Sequence, residues 1–148
     1  MDGAETLTLW VYDPGQTTGY AKFTMPRFEL IEWGDFPLWR DIQTQIKHGD
    51  TVVYEDIKVL HPSFNPVGLQ VIGVIRFTCE KCDVEPIAQR PSVIKGVLTW
   101  PVLRLNQIKS LHARDAVAHG IHYVGIEKVK LPSELLNKDH LTSNLEIS

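Results

Sequence analysis

The stretch Leu9–Phe23, LWVYDPGQTTGYAKF, decides how the chain is read. Its first half, extended back to Leu7, consists of large aliphatic and aromatic residues that suit a pleated, half-buried strand. Asp13-Pro14-Gly15 stops that strand, because proline brings no N–H to a ladder and glycine suits a turn. A second β-rich run, Thr18 to Thr24, follows at hairpin spacing. Asp13 therefore ends the first strand. It shares side-chain parity with Leu7, Leu9 and Val11, so a carboxylate closes an otherwise apolar face.

Working outward, Phe28 to Phe36 is a third β-run across the turn Met25-Pro26-Arg27, which completes a meander. Leu38 to Lys47 changes period, with Leu38, Ile42 and Ile46 four apart, and predicts a short amphipathic helix. Thr51 to Asp56 is a compact strand ending in acids, followed by a proline-punctuated loop through Pro66. Val67 to Thr78 reads as a helix apolar nearly all round, which needs cover beyond its own sheet and makes a partner chain a reasonable candidate. Val84 to Ala88 is a short strand and Pro91 to Leu98 a short helix opened by proline. Leu111 to Tyr123 is a stronger helix, with Ser110 as its cap and Ala113, Ala116 and Ala118 allowing close approach. From Leu131 the tail is polar and its order is open. The order βββαβαβα predicts an α/β fold, a mixed sheet covered by helices, in one domain spanning 1–148.

A chain of 148 residues has room for one core. Its 43% hydrophobic and 22% charged residues are globular values, which exclude collagen-like, coiled-coil and disordered classes. No apolar run reaches the ~18–20 residues that span a bilayer, and the opening MDGAETL lacks the features of a secretory leader, so a soluble, cytoplasmic protein is expected. Cys79 and Cys82 form a single C-x-x-C, too few ligands for structural zinc, and read as reduced thiols. The net charge of -3 argues against a nucleic-acid partner, but only as an average. Pro86 to Arg114 carries Arg90, Lys95, Arg104, Lys109 and Arg114 with no acid, a basic stretch that marks a phosphate-binding surface.

Four polar groups sit at element ends: Asp13, Glu55, and His112 with Asp115 three residues apart on one helix face. Glu55 shares parity with Val53 as Asp13 does with Val11. If the two strands are adjacent and the helix crosses their ends, the four converge. Like charges 4 Å apart repel by roughly 4 kcal/mol at an effective dielectric near 20, and divalent metal relieves that cost. Oxygen-rich ligation suits Mg²⁺ or Mn²⁺, and two ions ~3.5–4 Å apart serve phosphodiester hydrolysis. His112 is then a fourth ligand or a proton acceptor. Each acid also has a bland reading, Asp13 as a turn residue, Glu55 as an edge carboxylate and Asp115 as a first-turn acid. Asp56 faces the opposite side of its strand and reads as a loop acid. His119 lies ~10.5 Å along the helix from His112, too far for the same metal, which suggests packing or a phosphate contact. Phe64, in the loop after the acidic strand, reads either as core or as a wedge that stacks on unpaired bases. Trp10, Trp33, Trp39 and Trp100 read as core or interface.

The wording of these segments resembles the RuvC-type Holliday junction resolvases of the ribonuclease H-like superfamily. LWVYDPGQTTGYAKF is similar to that family's opening hairpin, VVYEDI (52–57) to its central acidic strand, RPSVIKG (90–96) to its segment ending in a basic residue, and HARDAVAHGI (112–121) to its final helix. The four occur in the family's order. The resemblance implies a ribonuclease H-like, five-stranded mixed sheet and a homodimeric, metal-dependent endonuclease acting on branched DNA in recombination and repair. It implies two Mg²⁺ or Mn²⁺ ions at Asp13, Glu55, His112 and Asp115, with Lys95 near the scissile phosphate. The turn between Gly15 and Thr18 is one residue shorter than expected of bacterial members, and TWPVLRLNQ (99–107) stands where a glycine-rich stretch is usual. These departures suggest a divergent, phage-encoded branch. Other branched DNA, an RNA substrate, or non-catalytic DNA binding remain open alternatives. A nucleotide phosphatase of the actin type would need a second domain that this chain lacks.

Overall fold

The computed structural model describes residues 6–36, 40–57 and 66–137, the side chain of Arg40 excepted. Trp39, Phe64 and the chain beyond Asn137 lie outside them. Five strands form one sheet in the order β3-β2-β1-β4-β5. β1 (Leu7–Asp13) pairs antiparallel with β2 (Thr18–Met25), which pairs antiparallel with β3 (Leu30–Phe36). On its other side β1 runs parallel to β4 (Thr51–Glu55), and β4 parallel to β5 (Pro86–Gln89). The helices are α1 (Arg40–Gln45), α2 (Pro66–Lys81), α3 (Lys95–Leu98) and α4 (Leu111–Val124).

Side-chain alternation divides the core between the two sheet faces. Leu9, Val11, Ala21, Phe23 and Val53 pack with Ala113, Ala116, Val117 and Ile121 of α4 on one face. Trp10, Tyr12, Val52 and Tyr54 pack with Ile42 and Ile46 and with Val71, Ile72 and Ile75 of α2 on the other. The expected α/β architecture and strand parity are both observed. Ser110 caps α4, its Oγ accepting from the Ala113 N–H at 3.2 Å.

Several boundaries move for local reasons. Phe28 adopts φ 56° and its N–H bonds Thr24 O, so β3 begins at Leu30 rather than at Phe28. The fifth strand, expected at Val84 to Ala88, shifts to Pro86–Gln89. Asp83 takes φ 58° and the Val84 N–H returns to Cys79 O, which assigns Val84 to the end of α2. The short helix expected at Pro91 to Leu98 divides into a 3₁₀ turn, Pro91–Ile94, and α3. Within the described residues the segment after α4 packs onto the domain: Leu131 and Leu135 are buried, and backbone bonds join Arg104 to Leu135 and Asn137 to Val102. Cys79 and Cys82 are free thiols, and burial pushes Cys79 up to about 12. Among the described residues no helix is long and apolar enough to cross a membrane.

Glycine permits the close seating of α4. A Cβ at Gly19 would overlap the backbone of His112 and Ala113, and one at Gly120 would overlap the Phe23 ring. Gly73, in α2, has nothing within 4 Å of a Cβ. Gly19→Ala is therefore expected to cost roughly 1–3 kcal/mol by overpacking, whereas Gly73→Ala gains about 0.5–1 kcal/mol of helix propensity. Thermal unfolding should shift in opposite directions for the two, by about 2–4 °C per kcal/mol.

Candidate active site

Parallel pairing sets the centre of the site. Tyr12 stands opposite Tyr54, and the next residues of the two strands are Asp13 and Glu55. Glu55 stands in turn opposite Gln89 of β5. Asp13 and Gln89 are buried and Glu55 is partly so. All three belong to the sheet face that carries α4. From that helix, His112 Nδ1 lies 3.0 Å from Asp13 Oδ2. Two turns further on, His119 Nε2 lies 2.8 Å from Glu55 Oε1, and its Nδ1 lies 2.6 Å from Gln89 Oε1. Between the two histidines, Asp115 Oδ1 accepts from Arg114 Nε at 3.1 Å and Nη2 at 2.9 Å.

The crowding of acids appears in the proton balance. Burial pushes the Asp13 carboxyl up to about 9, assisted by the charge of Glu55, the hydrogen bond between the two side chains and the charge of Asp115, and opposed by Arg114. In this arrangement Asp13 holds a proton at neutral pH, which halves the repulsion problem locally. Three carboxylates and an imidazole match the hard-donor preference of Mg²⁺ or Mn²⁺, and a cation there would replace that proton. The donor chemistry fits a divalent ion. The donors are engaged internally, Asp13 by His112 and Glu55, Glu55 by His119, and Asp115 by Arg114. Among the described residues no group of three or more His, Cys, Asp or Glu stands arranged to hold a metal as it is.

The fold thus sets Glu55 and His112 beside Asp13 and brings the charge of Asp115 to bear on it, while Asp115 itself contacts Arg114. Lys95 opens α3 and is exposed, as are Arg90, which directly follows Gln89, and Arg104 and Lys109, which precede α4. Arg114, expected on the phosphate surface, instead forms a two-nitrogen contact with Asp115. Asp56 is exposed and its Oδ1 accepts from the Ile57 N–H at 2.9 Å, the behaviour of a loop acid. Trp10 is buried, Trp33 half-buried and Trp100 exposed. His119 requires correction. It is 0% exposed and bonded to Glu55, which excludes a phosphate contact and goes beyond simple packing. Gln89 was not singled out at all, because the strand was expected to end one residue earlier.

No protein-family model and no curated protein matches the sequence. Among solved structures, "T. thermophilus RuvC in complex with Holliday junction substrate" superposes with a TM-score of 0.56 at 14% identity, covering 78% of this chain and 91% of that one. "Thermus thermophilus RuvC structure" gives 0.56 at 12% identity, covering 78% and 92%. The chain has a RuvC-like fold. The low identity makes it a divergent example, and the five-stranded mixed sheet is of the ribonuclease H-like kind. In this RuvC-like frame the candidate acids occupy the ends of the two central parallel strands.

The raised Asp13 value has a thermodynamic consequence. Its folded form holds a proton that the unfolded chain releases above about pH 4, so this group costs stability increasingly as pH rises from there toward 9. Without divalent metal, Asp13→Asn should raise the unfolding temperature at pH 7, by about 2–4 °C per kcal/mol recovered. The gain should shrink to nothing as pH falls to 4, read by thermal melts across a pH series.

Proposed function

We propose that this protein is a metal-dependent endonuclease that resolves four-way DNA junctions. The observation that carries the reading is the pairing of Asp13 and Glu55 at the ends of β1 and β4 beneath α4, with His112 on Asp13 and the charge of Asp115 near enough to act on it. Such a set calls for cations. Asp13, Glu55 and Asp115 would hold two Mg²⁺ or Mn²⁺ ions, with His112 as a further ligand or as acceptor of the water's proton. When bound, such ions lower the pKa of an attacking water and offset charge on the scissile phosphate.

The chain's own residues do the rest. His112 offers Nε2, since Nδ1 faces Asp13, on a side chain 49% exposed. Lys95, Arg90, Arg104 and Lys109 provide exposed positive charge along the segment leading to α4, and draw the phosphate backbone toward the acids. Phe64 follows the acidic strand, suited to stacking on unpaired bases. A homodimer would present two sites to a branched substrate. In support, α2 exposes Leu69 and Phe77 eight residues apart with the open Gly73 midway, an apolar strip that lets a second helix approach closely.

With Mg²⁺ or Mn²⁺, the protein should make paired symmetric nicks in a four-way junction in preference to a flap, linear duplex or RNA–DNA hybrid. Preference for the hybrid would make it a ribonuclease, and binding without cleavage a non-catalytic relative. Asp13→Asn, Glu55→Gln and Asp115→Asn should each reduce cleavage below detection while junction binding persists in gel-shift titrations. Full activity in any of them removes that residue from the site. Lys95→Ala should lower the slope of log affinity against log salt by about 1.

A further inference from the structure

We propose that His119, held by Gln89, is the positioning residue for Glu55: its Nε2–H fixes one carboxylate oxygen so that the other stays directed at Asp13 and the cations. This rests on the nuclease reading above. Three observations carry it. His119 is wholly buried, and both of its ring nitrogens meet a polar partner, at 2.8 Å from Glu55 Oε1 and 2.6 Å from Gln89 Oε1. Gln89 is itself buried and pairs in register with Glu55 across β4 and β5, so the sheet presents both side chains on the same face. Glu55 also stands beside Asp13 where β1 and β4 end in parallel register, so its carboxylate has Asp13 on one side and Gln89 on the other.

The direction of the bond to Glu55 does not depend on how the Gln89 amide is turned. With its oxygen toward Nδ1, both ring nitrogens carry protons; with its NH₂ toward Nδ1, that nitrogen accepts and the one proton is on Nε2. With Glu55 ionised, as a cation ligand must be, its oxygen can only accept, so the bond runs from Nε2–H to Oε1. The geometry also explains the seven-residue spacing of His112 and His119. Seven residues are two helical turns, so both imidazoles lie on the same face of α4. One helix face thereby sets an imidazole on Asp13 and another on the neighbouring strand's Glu55. Partners of this kind that orient a metal-binding carboxylate typically matter 10–100-fold in affinity or rate.

The test is Mn²⁺ titration of the full-length, DNA-free protein by calorimetry, alongside junction cleavage, for wild type, Glu55→Gln, His119→Phe, His119→Gln and Gln89→Met. His119→Phe fills the site without a donor, while the amide nitrogen of His119→Gln falls near Nε2 and restores one. Far-UV circular dichroism and melting confirm which variants fold, and His119→Gln or Gln89→Met carries the test if His119→Phe does not. Expected are a 10–100-fold loss of Mn²⁺ affinity in His119→Phe, a smaller loss in Gln89→Met and recovery of most of it in His119→Gln. kcat should fall and rise in parallel while junction Kd stays constant. Weaker Mn²⁺ binding in Glu55→Gln, together with wild-type binding and kcat in folded His119→Phe or in both other variants, overturns the positioning role and leaves the nuclease reading intact. Mn²⁺ binding that is absent, or unaltered by Glu55→Gln, overturns the nuclease site itself and this inference with it.

Discussion

Asp13 and Glu55 end neighbouring parallel strands, and their side chains face the same buried layer, so their mutual repulsion must be answered by whatever packs above them. In water two such charges would cost little. Under a helix, where the effective dielectric is lower, the cost rises severalfold. The structure answers with a proton on Asp13, an imidazole on each acid, and the Arg114 guanidinium on the third carboxylate nearby. Each of these is a way of supplying positive charge or a donor to oxygen atoms that the register of β1 and β4 forces together. A site built this way holds its acids together within the fold through internal partners on every one of them.

The helix that answers the acids is positioned by absence of side chains. Gly19 lets the backbone of β2 meet the first turn of α4, and Gly120 yields to the Phe23 ring two turns on. With Ala113, Ala116 and Ala118 between them, α4 lies low enough over the sheet for His112 and His119 to reach strand-end carboxylates at hydrogen-bond distance. Larger residues at these positions would preserve a helix and a sheet but lift one off the other. The chemistry therefore depends on packing residues that carry none.

Much of this was legible beforehand, because alternation and turn chemistry are local. Asp-Pro-Gly ended β1 at Asp13, parity placed Asp13 and Glu55 on one face, and Ser110 marked the start of α4, all as observed. What escaped was set by contacts between distant segments. The turn at Asp83 after α2 moved the start of β5 by two residues and its end by one, which brought in Gln89, and nothing within Val84 to Gln89 signals that shift. His119 was measured against the wrong reference: its distance from His112 excludes a shared metal, but the relevant partner was the acid of the adjacent strand. The pairing of Arg114 with Asp115 likewise needs coordinates, since neighbouring residues on a helix do not ordinarily face each other.

That pairing changes how the basic stretch should be understood. Of the five cations between Pro86 and Arg114, four are exposed and one is turned inward onto Asp115. The mildly acidic whole-chain charge therefore conceals two opposite local fields, a partly buried group of carboxylates and a set of exposed basic residues between β5 and α4. Opposite fields suit a polyanion whose backbone must come close to acids: two exposed lysines and two exposed arginines attract it over a Debye length of ~8–10 Å, and the acids repel it at contact unless cations intervene. Arg114 stands at the boundary. Its Nε and Nη2 both contact the same Oδ1 of Asp115, so its charge is engaged within the fold and only the other four cations are exposed.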